Sequence, residues 1–169
     1  MSERHPKTVT IICSDEASTL ETVAFRSVLE YLGFTVFVRW IGNKKDFLNI
    51  LQGKEQTEDL IVISSHGEEG KFFMPTDESV LFSELNVNLP DKTVLSVGCD
   101  TGGAKDEFIK GKCKAYIAPT DYPEGNDAMM FVVKFFWMLA QKKSIQEAFE
   151  SASADMPEGS EFTLVQNPS

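Results

Sequence analysis

Residues 60–70 read LIVISSHGEEG, and residues 93–103 read TVLSVGCDTGG. Each begins as a short run of β-branched and aliphatic residues and ends in small, turn-forming ones, the pattern of a strand buried on both faces. A side chain capable of chemistry follows each run. His66 stands just past the first strand with Gly67 after it, and Cys99 just past the second with Gly98 before it.

Outward from these two blocks, strands alternate with helices. Thr8–Cys13 (TVTIIC) is a buried strand. Leu20–Leu32 is a helix with Val23, Val28, Leu29 and Leu32 at helical steps; Ser14, Asp15 or Ser18 caps its start and Gly33 ends it. Phe34–Trp40 is a second strand, and Lys44–Leu51 a short amphipathic helix closed by Gly53. Asp59–Ser64 is the third strand. The long connection after it contains a hairpin arm at Lys71–Met74 and a helix opening at Val80–Leu85. Lys92–Val97 is the fourth strand, Lys105–Ile109 a helical turn or two, and Lys114–Ala118 the fifth strand. Asn126 or Asp127 caps the longest helix, Ala128–Gln141. Ser144 and Glu147 form a capping box for a helix to Ser153, and Phe162–Val165 is a last strand. Such alternation implies an α/β fold, a three-layer sandwich with a mostly parallel central sheet of about six strands and helices on both faces. In such sheets ligands bind beyond the carboxyl ends of the strands. That is where His66 and Cys99 fall.

The 169 residues, 42% apolar with 13 Phe and two Trp, suffice for one core. Residues 1–7, polar and including His5, are expected to be flexible, with a single domain over 8–169. The balance of 16 basic against 26 acidic residues, a net charge of −10, argues against nucleic acid as a partner. The apolar run Val9–Cys13 is too short for a signal-peptide core or a membrane span, and Lys134 interrupts the run MMFVVKFFWML, which suits a core helix. Three cysteines without regular spacing make no disulfide framework, so free thiols in a cytoplasmic setting are expected. Neither C-x-x-C nor H-x-x-x-H is present, nor a phosphate loop, nor a G-x-S-x-G elbow; no metal and no cofactor are expected.

A thiol and an imidazole on one rim of a sheet suit nucleophilic catalysis, because the imidazole assists formation of the reactive thiolate. Gly67 lets the main chain approach a carbonyl, and the N–H groups of Gly67 and Cys99 are candidate oxyanion donors. Losing one such donor costs on the order of 3 kcal/mol in the barrier. Cys13 belongs to the core, and Cys113 enters the fifth strand with no evident chemical role.

These residues carry a family resemblance. The 60–70 block resembles the His-Gly block of caspase-like (clan CD) cysteine peptidases. The 93–103 block, with Cys99, Asp100, Thr101 and Gly102 in order, resembles the Cys block of CHAT domains, relatives of caspases and separases. The segments 71–93, 115–152 and 161–168 continue the likeness, which covers about Asp59 to Pro168. It implies a caspase-like fold and a cysteine endopeptidase acting on protein or peptide through a thioester, with His66 as base, Cys99 as nucleophile and Gly67 at the oxyanion hole. Two positions depart from the family: Gly98 stands where Ala is usual, and the usual Trp after the fifth strand is missing, with Asp121 or Tyr122 nearby. The chain carries no appended repeat domain, so either a minimal enzyme or regulation by a protein partner is expected. In caspase-like enzymes the loop after strand one helps form the specificity pocket. Here it offers Asp15 and Glu16, which with Asp100 and Asp121 are the expected substrate-binding residues and favour Arg or Lys at P1. Asp15 equally suits a helix cap. The same pattern also fits a catalytically inactive caspase-like interaction module, or a receiver-like or flavodoxin-like domain with an acidic pocket at IICSDEAS.

Overall fold

The computed structural model describes residues 7–168. Residues 1–6, His5 among them, and Ser169 lie outside the described residues. The main sheet comprises β1 (Thr8–Cys13), β2 (Thr35–Trp40), β3 (Leu60–Ser64), β7 (Thr93–Ser96), β8 (Ala115–Pro119) and β9 (Phe162–Gln166). Between β3 and β7 the chain leaves the sheet to form a small antiparallel arm of β4 (Gly67–Glu68), β5 (Lys71–Phe73) and β6 (Ser79–Leu81). The helices are α1 (Thr19–Tyr31), α2 (Lys44–Leu51), α3 (Lys105–Lys110), α4 (Gly125–Ala140) and α5 (Ile145–Ser153).

The strand order is β2-β1-β3-β7-β8-β9. All neighbours are parallel except β9, which runs antiparallel to β8. The antiparallel edge strand and the arm set the chain apart from a plain doubly wound sheet. Successive side chains of a strand face opposite ways, so strands covered on both faces need unbroken apolar runs. In β3, Val62 faces α1, α4 and α5 together with Ile11, Leu95, Phe25 and Phe131. Its neighbours Ile61 and Ile63 face the other layer with Phe47 of α2, Phe108 of α3 and Phe72 of the arm. Two ring stacks fasten helix to sheet or strand: Phe108 on Tyr116 with centroids 4.0 Å apart, and Phe131 on Phe162 at 3.9 Å.

Two elements differ from expectation. No helix opens at Val80: Ser79–Leu81 is β6, paired with β5, and only a 3₁₀ turn follows at Phe82–Glu84. Phe72 and Val80 are cross-strand partners and both are fully buried, so sheet pairing buries this stretch better than a helix would. The longest helix starts at Gly125 rather than Ala128, with the Glu124 carbonyl accepting from Asp127 and Ala128. Its apolar run packs against the sheet, and among the described residues no helix is long and apolar enough to cross a membrane. The capping box of α5 forms as the sequence requires: Ser144 Oγ accepts from the Glu147 N–H, and the Glu147 carboxylate from the Ser144 N–H at 2.8 Å.

Candidate active site

β3 and β7 are hydrogen-bonded neighbours, with Ile63 opposite Ser96 and the Val97 N–H donating to the Ile63 carbonyl. The segments that follow them therefore leave the sheet side by side. They also touch. A Cβ built on Gly67 would lie 2.5 Å from the Cys99 carbonyl oxygen and 2.6 Å from Thr101 Cγ2. Only glycine permits that approach.

The Cys99 turn is fixed from beneath by hydroxyl groups. Thr101 is fully buried. Its Oγ1 donates to the Gly98 carbonyl at 2.6 Å and meets Ser96 Oγ at 2.8 Å, while the Tyr116 hydroxyl donates to the Thr101 carbonyl at 2.8 Å. Asp100 takes the left-handed conformation, φ 55°, and its N–H donates to the Asp121 carbonyl. A Cβ on Gly102 would come within 2.7 Å of the Pro119 carbonyl oxygen. The Cys-Asp-Thr-Gly order is thus the sequence of a turn bolted to β8 through Tyr116 and Pro119. Gly98 has its own cause. A Cβ there would crowd Thr101 Cγ2 at 3.0 Å and both the carbonyl and Oγ of Ser65 at 3.1 Å. The buried hydroxyl of Ser65, without a hydrogen-bond partner among the described residues, occupies the room that an alanine would need.

His66 is held by side-chain bonds at the surface. Its backbone N–H donates to Asp15 Oδ2 at 2.8 Å, and its Nδ1 lies 3.2 Å from both carboxylate oxygens of Asp15. Asp15 also accepts from the Ser18 N–H and Oγ at the start of α1. A carboxylate at Nδ1 fixes the tautomer with the proton on that atom and leaves Nε2 to receive another. Both oxygens of Asp15 are spent within the chain. It differs in this from the expected open acidic floor and acts instead as a link between α1 and the imidazole. Nearby, the His66 carbonyl accepts from the Phe73 N–H of β5. The two sides of a trans peptide oppose each other, so the Gly67 N–H faces away from β5.

The sequence did not single out Glu21. It lies in the first turn of α1, half-buried, and accepts from Ser64 Oγ at 2.7 Å where β3 ends. Burial pushes its carboxyl up, opposed by the Ser64 bond and by the nearby His66. Its signal was helical phase: Glu21 stands three residues after Ser18 and four before Phe25, both buried.

Cys99 is half-buried and free. Burial raises its thiol, and the charges of Glu21, Asp100 and Asp121 raise it further. No hydrogen bond joins Cys99 to His66 among the described residues. Glu16 and Asp121 are exposed and Asp100 half-buried. Cys13 and Cys113 are buried in the interior, the latter with its thiol pushed up to about 12 by burial.

No protein-family profile matches the chain, and no curated protein does. Among solved structures, it is similar to the Arg-specific cysteine proteinase gingipain R (RgpB), at TM-score 0.64 and 12% identity, covering 100% of this chain and 48% of that one. The complex of Porphyromonas gingivalis RgpB pro- and mature domains matches equally, at TM-score 0.64 and 12% identity over 99% of this chain and 49% of that one. The chain thus spans about half the length of these proteins. At this identity the likeness establishes the fold. It is a caspase-like α/β fold, with a six-stranded, mostly parallel sheet between helices.

Proposed function

We propose that this chain is a cysteine endopeptidase of the caspase-like type, CHAT-like in its Cys block, working through His66 and Cys99. The contact of Gly67 with the Cys99 carbonyl carries the proposal, because it brings the imidazole segment and the thiol turn together on one rim. His66, oriented by Asp15, takes the Cys99 proton on Nε2. The thiolate attacks the peptide carbonyl, and the N–H groups of Gly67 and Cys99 hold the oxyanion. The imidazolium then protonates the leaving amine, and water hydrolyses the thioester. A basic P1 residue suits the acidic surroundings of Cys99, where the half-buried Asp100 and the exposed Asp121 are free to meet it. The Arg specificity of gingipain R agrees with this preference.

Cys99→Ala and His66→Ala should each abolish cleavage of an Arg-containing peptide library while leaving the melting transition in place. Turnover surviving in either variant rejects the scheme, and cleavage only after acidic or apolar residues rejects the basic pocket. The raised thiol and the missing His66–Cys99 bond favour a second reading, a partner-regulated or catalytically silent interaction module. Covalent labelling of Cys99 by a peptidyl electrophile, lost in His66→Ala, separates the two: the silent module would not be labelled.

A further inference from the structure

A groove of about 470 Å³ runs along the outer face of α2. Lys45, Leu48, Asn49 and Gln52 line it at three- and four-residue steps, opposite the buried Phe47, Ile50 and Leu51. Glu78, just before β6, also lines the groove, and two bonds tie α2 to the segment after β6: Lys44 Nζ donates to Glu84 at 2.9 Å, and Gln52 Nε2 to the Leu85 carbonyl at 3.4 Å.

The groove already holds a carboxylate of its own chain. Glu78 Oε2 accepts from the backbone N–H of Lys44 at 3.1 Å, where the start of a helix favours negative charge. Two further cations line the groove without an acidic partner. Among the described residues, neither Lys45 nor Lys54 belongs to an ion pair, and the contact of Lys54 Nζ is the neutral Asn49 Oδ1 at 3.5 Å. On a chain of net charge −10, this basic strip is a local inversion of sign.

We propose that this groove docks an acidic peptide segment of a partner protein. The eight residues of α2 cover about 12 Å, the reach of about four residues of extended chain. Two carboxylates at that spacing would meet Lys45 and Lys54 together, and the amides of Asn49 and Gln52 would face the main chain between them. Nucleic acid fits less well. No aromatic side chain lines the groove for bases to stack on, and the overall charge repels a phosphate chain. The site stands whether or not the chain is a peptidase.

Fluorescence anisotropy on the full chain tests it. The probe is a labelled octapeptide with two glutamates four positions apart, compared with its glutamine counterpart. The acidic peptide should bind and the glutamine one should not, with affinity falling as salt rises. Lys45→Glu together with Lys54→Glu should weaken binding about tenfold or more, and Glu78→Gln, which removes the competing carboxylate, should strengthen it about threefold or more. Equal binding of the two peptides, affinity unmoved by the lysine reversals in a variant that melts normally, or preference for a single-stranded oligonucleotide would each overturn the proposal.

Discussion

The two segments that meet at the rim are held by opposite means. The Cys99 turn rests on buried hydroxyls and glycine contacts, with Thr101 at its centre and Tyr116 behind it. The His66 segment rests on a carboxylate and faces water, its side chain 58% exposed. A buried network of neutral groups gives a fixed geometry that ignores salt and pH; a charged clamp at the surface gives an orientation that answers to both. The thiol is thereby set by packing and the imidazole by charge.

Changes to the clamp should act on rate, and changes to the bolt on stability. Asp15→Asn keeps the shape but forfeits the charge that selects the tautomer of His66. In the proposed peptidase, cleavage should fall by about 10²–10⁴-fold, for a stability loss near 1 kcal/mol, as when a capping acceptor is weakened. Full activity in this variant would dissolve the contrast. Gly102→Ala forces a methyl against the Pro119 carbonyl, and Gly98→Ala forces one against Ser65 and Thr101. Each should destabilise by about 1–3 kcal/mol, read by denaturant unfolding. Adding Ser65→Ala should restore part of the loss at position 98 but none at 102. Tyr116→Phe strands the Thr101 carbonyl and should cost about 1–3 kcal/mol, with a midpoint shift that salt leaves unchanged.

The smallest effect belongs to Glu21, which is tied to Ser64 at the end of β3. Its carboxyl is raised in the fold, so its contribution is complete below the ordinary glutamate range and is lost as pH rises through the raised value. Glu21→Gln does not titrate and should melt higher than the parent by about 2 °C at neutral pH, with the gap closing in acid. The same change should let Cys99 alkylate at lower pH, since one of the charges that raise its thiol is gone. A melting gap that widens in acid, or an alkylation profile left unmoved, contradicts this placement of Glu21.

The sheet and its rim were legible because strands covered on both faces must be written as unbroken apolar runs, and LIVIS and TVLSV are such runs. The helix caps were legible where the whole device is local, as at Ser144 and Glu147. What escaped depends on partners far along the chain. β6 exists because Val80 pairs with Phe72. Asp15 lies 51 residues from His66, the group it orients. Thr101 is explained only by Tyr116, which strand order alone brings under it. Charged residues on α1 look solvated until the sheet shows which of them has an interior neighbour, and Glu21 is the one that does.

Asp15, His66 and Cys99 follow β1, β3 and β7, three consecutive members of the sheet. Adjacent members lie about 4.8 Å apart, so the backbone ladder itself is the ruler that spaces these side chains. Intervening loops can lengthen, shorten or change sequence without altering that pitch. A redesign that lengthened or regrafted the arm would leave the ruler untouched, whereas a one-residue slip of β3 against β7 would misalign it.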